Sequence, residues 1–299
     1  MTATLSTPAG GRHPAGRPVQ GPAGHSPRRN TEKRRQRTLT WVLAVISLFT
    51  VAPLIAVAVL ALSPADAPTL PYALPSSLTL DNIVRIFNVG EFPLWLWNSF
   101  LYSAVSVVVV LLTASMAAYA LARKRFPGRN ALLWAIIATM MVPVQATLIP
   151  TFILISKMGG VNTLWGLILP TLANAQAIFL IRQFVRDMPE ELFDAARIDG
   201  AGEWRTFWQI VLPWIRPVLA TLAIFVFLWH WNDLLWPLVV GQSDAARTLT
   251  VGLATLNTET ASTSNVMAAT LVSFIPCLVI FALLQKHIVA SITHSGVKG

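Results

Sequence analysis

Residues 186–213 read RDMPEELFDAARIDGAGEWRTFWQIVLP, and this stretch decides the fold. Asp187 stands where a helix N-cap is wanted, Pro189 suits a first helical position, and Glu190 takes the acidic place of a capping box. Arg197 falls in the last turn, where a cation complements the helix dipole, and Gly200 follows as a left-handed terminator. The pattern predicts a short helix over 189–199. A second helix is predicted over 202–212, with Trp204, Phe207, Trp208 and Val211 on one apolar face. Pro213 and Pro217 mark the turn that follows. Ala195, Ala196, Gly200, Ala201 and Gly202 are small enough for another backbone to approach closely. Two readings fit: an amphipathic hairpin lying on a lipid surface, or a docking element for another chain.

The rest of the chain places that stretch between membrane spans. Of 299 residues 55% are hydrophobic and only 12% charged, with mean hydropathy +0.61. Soluble chains carry about 25% charged residues. Six stretches supply the roughly 20 apolar residues that cross a bilayer core as helix: 40–63, 97–122, 131–155, 164–182, 217–240 and 265–286. Pro143, Pro150, Pro170 and Pro276 lie inside them, which a packed bundle tolerates where neighbours satisfy the freed carbonyls. The fold class expected is all-α and polytopic.

The net charge of +9 reads as topology rather than as a nucleic-acid footprint. With the N-terminus in the cytoplasm, nineteen of the 22 Lys and Arg residues fall inside. Only Arg85, Lys157 and Arg247 fall outside, so both termini are expected in the cytoplasm of a multi-pass membrane protein. Residues 1–38, rich in Pro, Gly and Arg, read as a disordered basic tail. The segment 39–63 reads as an uncleaved first span, because its apolar run is too long for a signal-peptide core. An extracytoplasmic segment follows over 64–94, then the main domain over 95–290, then a cytoplasmic tail over 291–299. The lone Cys277 has no disulfide partner, and no Cys/His zinc spacing occurs.

The 186–213 loop is similar to the EAA loop of binding-protein-dependent ABC importer permeases. That pattern is Glu-Ala-Ala, three residues, Gly, nine residues, Ile-x-Leu-Pro. Here Asp194-Ala195-Ala196, Gly200 and Ile210-Val211-Leu212-Pro213 stand at that spacing. Asp194 departs from the family's Glu, keeping the charge but shortening the reach. The resemblance implies a type-1 ABC importer permease fold with six transmembrane helices. It also implies that Asp194, Ala195, Ala196, Arg197, Asp199 and Gly200 couple to an ATPase.

Trp229, Asn232, Asp233 and Trp236 share one helical face near the end of span five. Two readings stand: polar and aromatic groups lining a sugar path, or an interfacial aromatic belt with a hydrogen bond between helices. The run Trp231-Asn232-Asp233-Leu234-Leu235-Trp236-Pro237 resembles the span-five signature of carbohydrate-uptake permeases. So do Thr248 to Leu253, Trp97-Asn98-Ser99 and the C-terminal Gly296-Val297-Lys298-Gly299. The likeness runs from about residue 40 to the end and is to the maltose-type permease subunit with the shorter topology. The implied partners are a homologous permease subunit, a dimer of ATPase subunits and an extracytoplasmic solute-binding protein. Glycerol phosphate is an alternative cargo, and an ion-coupled secondary transporter using Asp233 beside His230 is a rival mechanism.

The sequence has no Gly-Lys-Ser/Thr phosphate loop and no Ser/His/Asp or metal constellation. No catalytic, cofactor-binding or metal-ligating residue is therefore expected in this chain. ATP and Mg are expected on the partner ATPase.

Overall fold

The computed structural model describes residues 28–64, 75, 77–88, 90–256 and 262–295. Among them there is no strand. The chain divides between Pro53 and Leu54. In the first unit the described residues belong to helix α1 (Arg28–Ala61), which continues into the second. This helix begins eleven residues before the first span expected over 39–63, so 28–38 are helical where composition alone favoured disorder. The reason is local: Glu, Lys, Arg and Gln in this stretch are good helix formers, and it contains no Pro or Gly. Residues 1–27 of the expected tail lie outside the described residues, as does Gly296 to Gly299.

The second unit is built on α3 (Phe92–Arg123), an uninterrupted helix of 32 residues. At 1.5 Å per residue it runs about 48 Å, longer than a bilayer core of roughly 30 Å. It packs against α7 (Ala175–Arg186) and α11 (Arg216–Trp231), and α11 packs in turn on α14 (Thr263–Ser295). The helix α14 itself continues well beyond residue 286, past the apolar span that ends at Leu283.

Among the described residues three helices are long and apolar enough to cross a membrane: α1, α3 and α14. Three bent helix pairs accompany them, and counting each pair as one span gives up to six. The first pair joins α4 (Arg129–Thr139) and α5 (Val144–Lys157) at 103°. Pro143 makes that break, since its ring drives the preceding residue out of the helical region. The second joins α6 (Leu164–Ile168), with its short 3-10 extension to Thr171, to α7 at 50°. Asn174 restarts the helix by accepting the Ala177 N–H at 2.9 Å. The third joins the segment Glu203–Trp214 to α11 at 75°, with Ile215 at the corner between Pro213 and Pro217.

The expected span 217–240 does not continue past Trp231. Pro237 has no N–H for the Asp233 carbonyl and its ring would strike that carbonyl. The Asp233 carboxylate instead accepts the Trp236 N–H at 3.4 Å and opens a separate helix α12 (Leu235–Val240).

At one end of the bundle, two segments far apart in sequence are tied together. Asn98 Nδ2 donates to the carbonyls of Ala245 and Arg247 at 2.9 and 3.0 Å, and Ser99 Oγ accepts the Leu249 N–H at 2.8 Å. Gly252, on α13 (Leu249–Leu256), lies so close to the Trp95 ring that an added Cβ would sit 2.1 Å from it. The Trp97-Asn98-Ser99 and Thr248–Leu253 stretches are thus one joint.

Candidate functional site: a welded helix–glycine–helix element

The site lies where α7 leaves the bundle. Helix α8 spans Glu190–Ile198 and ends in a Schellman motif. Its two closing bonds are Gly200 N–H to the Arg197 carbonyl at 3.1 Å and Ala201 N–H to the Ala196 carbonyl at 2.9 Å. Gly200 takes φ +66°, as the sequence required. The expected cap at the other end is not made. Asp187 closes α7 rather than opening α8, and Pro189 holds the N-cap position with no side-chain hydrogen bond. The cause is that α7 runs on to Arg186, leaving too few residues for a free cap.

The second helix is irregular. A first α turn, α9 (Glu203–Thr206), passes into a π turn over Phe207–Val211 and then into α10 (Leu212–Trp214). In a widened turn residues three and four apart no longer line up as in a 3.6-residue helix. The predicted apolar face is therefore split. Phe207 and Val211 are buried, while Trp204 is 64% and Trp208 48% exposed.

The element is welded to α3 by groups that the sequence does not mark. Arg123, the last residue of α3, donates from its guanidinium to the carbonyls of Val185, Arg186 and Met188. It thus closes the C-terminal end of α7 with a positive charge, where the helix dipole favours one. The same guanidinium lies 4.3 Å over the Phe193 ring of α8. One turn back, the Tyr119 hydroxyl donates to Glu203 Oε2 at 2.8 Å, and Lys124 forms an ion pair with the same carboxylate. Burial works against the Lys124 charge, but hydrogen bonds to Glu203 and Tyr119 outweigh it and raise its pKa above the ordinary value. Tyr119 stacks on Phe193 at 6.5 Å and leans on Phe207 at 5.8 Å. Beneath them Val110, Ala114, Ile181, Val185, Ile215 and Val218 continue the apolar cluster into the bundle. Residues 123–125 were counted from sequence only as topology charges; nothing local says which carbonyls Arg123 will meet.

The opposite face of α8 is open. Asp194, Ala195, Arg197, Asp199 and Gly200 are exposed, and Ile198 is 86% exposed. Ala196 differs: it is buried against the element's own core. Asp194 pairs with Arg197 at 2.9 Å on this open face, so its shorter side chain is held by a neighbour one turn away.

The four path candidates are not brought onto one face. The helix break turns Trp236 inward, where it is buried beside Tyr102 and Leu167 and its Nε1–H donates to the Leu167 carbonyl at 3.1 Å. Trp229 is 66% exposed, and exposed Asn232 donates to the Leu228 carbonyl of its own helix at 2.8 Å. Asp233 is half-buried and accepts from the Tyr102 hydroxyl of α3 at 3.1 Å. Tyr102 in turn meets the buried His230 ring edge-on at 5.0 Å. The pair Tyr102 and His230 adds two polar groups to this region that periodicity did not select.

A bundle of broken apolar helices bearing a helix–glycine–helix element with one open face is a polytopic membrane protein. The chain belongs to the family described as binding-protein-dependent transport system inner membrane component, whose model matches residues 110–294. It is a multi-pass protein of the cytoplasmic membrane. It is 41% identical over 227 residues to the arabinooligosaccharides transport system permease protein AraQ of Halalkalibacterium halodurans, covering 75% of this chain and 81% of that one. It is 36% identical to the sn-glycerol-3-phosphate transport system permease protein UgpE of Yersinia pestis, over 74% of this chain and 82% of the relative. It is likewise 36% identical to the lactose transport system permease protein LacG of Rhizobium radiobacter, covering 70% and 77%. Its fold matches a chain of the crystal structure of a bacterial ABC transporter involved in the import of the acidic polysaccharide alginate. That match has TM-score 0.75 and 24% identity, and covers 86% of this chain and 97% of the other. The chain is thus a permease subunit of a binding-protein-dependent transport system, a transporter component rather than an enzyme.

Proposed function

We propose that this subunit forms half of the transmembrane pathway of an ATP-driven sugar importer. Its partners would be a homologous permease subunit, two ATPase subunits that hold ATP and Mg, and an extracytoplasmic solute-binding protein. The observation that carries this reading is the open face of α8, rigidly joined to α3 through Arg123, Tyr119 and Lys124. A movement imposed on Asp194–Gly200 by an ATPase is passed to α3 and α7 as a body, because the joint is multiply bonded. The element therefore faces the cytoplasm, and so do both termini. ATP binding closes the ATPase pair and opens the path outward; hydrolysis returns it inward. ATP drives this only through contacts that differ between the two states.

The names of two relatives, for arabino-oligosaccharides and lactose, support a sugar as cargo. A glycerol-phosphate cargo is the second reading, supported by the similarity to a glycerol-phosphate permease. Uptake into vesicles that hold the partner subunits tests the proposal. Sugar accumulation should require ATP and ignore an ion uncoupler. Accumulation without ATP that collapses with the uncoupler would overturn it in favour of an ion-coupled carrier, and accumulation of glycerol phosphate alone would change the cargo.

A further inference from the structure

Between the end of α3 and the start of α4 the chain forms a cavity of ≈ 420 Å³ lined by Arg125, Phe126, Gly128, Arg129, Asn130 and Ala131. Gly128, at φ +82°, turns the chain into α4 and supplies no side-chain cap. The backbone N–H groups of Asn130 and Ala131 meet no acceptor among the described residues. Arg129 donates to the Lys124 carbonyl at 3.2 Å and is half-buried at the cavity wall. Arg182 on α7 lies near enough to feel the charges of both Arg129 and Arg186. Among the described residues no carboxylate stands within ion-pair distance of Arg125, Arg129, Arg182 or Arg186. Two uncompensated arginines, Arg125 and Arg129, and two free N–H donors line one cavity, with the charge of Arg182 felt nearby, an arrangement that asks for an anion of more than one charge-bearing oxygen.

The surroundings say where that anion comes from. The cavity lies between two membrane-spanning segments, and α4 continues from it as Leu132, Leu133 and Trp134. Leu132 is 48% and Trp134 68% exposed, with Phe126 at the rim. Apolar and aromatic side chains at this level suit acyl chains and the headgroup boundary, and basic pockets between spans suit lipid phosphates. A soluble anion would gain nothing from Leu132 and Trp134. We infer that this cavity binds the phosphate headgroup of an anionic phospholipid, with Arg125 and Arg129 as its direct partners and the acyl chains along α4. The inference depends on membrane insertion, not on the cargo or on the coupling role of α8.

The test uses the full chain purified in detergent, with bound lipid read by native mass spectrometry. Wild type should retain phosphatidylglycerol at least tenfold better than phosphatidylcholine. The Arg125→Gln/Arg129→Gln pair should lose that preference, and the Arg125→Lys/Arg129→Lys pair should keep most of it. Arg34→Gln/Arg35→Gln/Arg37→Gln, which removes as much charge or more elsewhere, should leave it intact. Brominated acyl chains offer a second reading on wild type that needs no charge variant. Brominated phosphatidylglycerol should quench tryptophan more than brominated phosphatidylcholine does, and Trp134→Phe should remove the difference. Equal retention of the two lipids, unchanged preference in the Gln pair, or displacement of the lipid by millimolar glycerol phosphate would each overturn the inference. The last result would mark a soluble-anion site.

Discussion

The Tyr119 hydroxyl, on the membrane-spanning α3, donates to Glu203 Oε2 at 2.8 Å, on the first turn of the helix that follows Gly200. Lys124 holds the same carboxylate. The two contacts fasten α9 to the end of α3, beside the Arg123 guanidinium that lies over Phe193 of α8. Tyr119→Phe removes one donor to a charged acceptor, a loss of about 1.5–3 kcal/mol where it is buried and less here, because Glu203 is mostly exposed. Melting in detergent should fall by a few degrees while ATP-driven uptake falls several-fold. Uptake unchanged beside a lowered melting point would make the contact structural only.

Arg123 should matter more. Its guanidinium serves three carbonyls at once, and Lys cannot reproduce the planar fork. Arg123→Ala leaves the end of α7 uncapped and should cost about 2–3 kcal/mol. Arg123→Lys should recover only part of it. Thermal unfolding of the two variants checks the order wild type, Lys, Ala.

Gly200 is required for its backbone, not for space. An added Cβ would meet nothing within 4 Å, yet φ is +66°. Gly200→Ala should cost about 1–2 kcal/mol from the left-handed conformation alone. Gly200→Asn should be tolerated better, since Asn accepts that conformation. Gly200→Pro cannot adopt it and should abolish uptake with membrane insertion intact. Uptake assays with surface labelling separate the three variants.

Asp194 offers a cleaner separation of coupling from stability. Its pair with Arg197 is on the surface and is worth at most about 1 kcal/mol. Asp194→Asn should therefore leave melting unchanged and lower ATP-driven uptake, and Asp194→Glu should retain it. A stability loss with normal uptake would place the residue in the fold alone.

Asn232 tests the path. Its side chain bonds only its own helix and is exposed, so Asn232→Ala should change stability by less than about 1 kcal/mol. Reduced uptake by a stable variant would then place α11 on the route of the cargo, and normal uptake would remove Asn232 from it.

What was legible in the sequence was what is local. Gly200 ends a helix because it alone takes the left-handed conformation at little cost, and the apolar runs show where membrane crossings fall. The 103° bend at Pro143 and the break after Trp231 were hidden, because a proline inside an apolar run reads the same whether neighbours rescue the helix or not. Asp187 was misplaced because a single residue serves the end of one helix as readily as the start of the next. The weld through Arg123, Tyr119 and Lys124 joins residues 62 to 84 positions apart, and only the packing of α3 on α7 brings them together.

The central claim is that the open face of α8 is where an ATPase engages. Single cysteines at Ala195 and Ile198, in a chain with Cys277 replaced, test it by cross-linking within the assembled complex. The account predicts adducts to the ATPase subunit from both positions, with yields that change when ATP is added, and none from a cysteine at Trp229. An assembled, transporting complex in which Ala195→Cys and Ile198→Cys give no ATPase adduct would contradict it, and would leave the element as a hairpin resting on lipid.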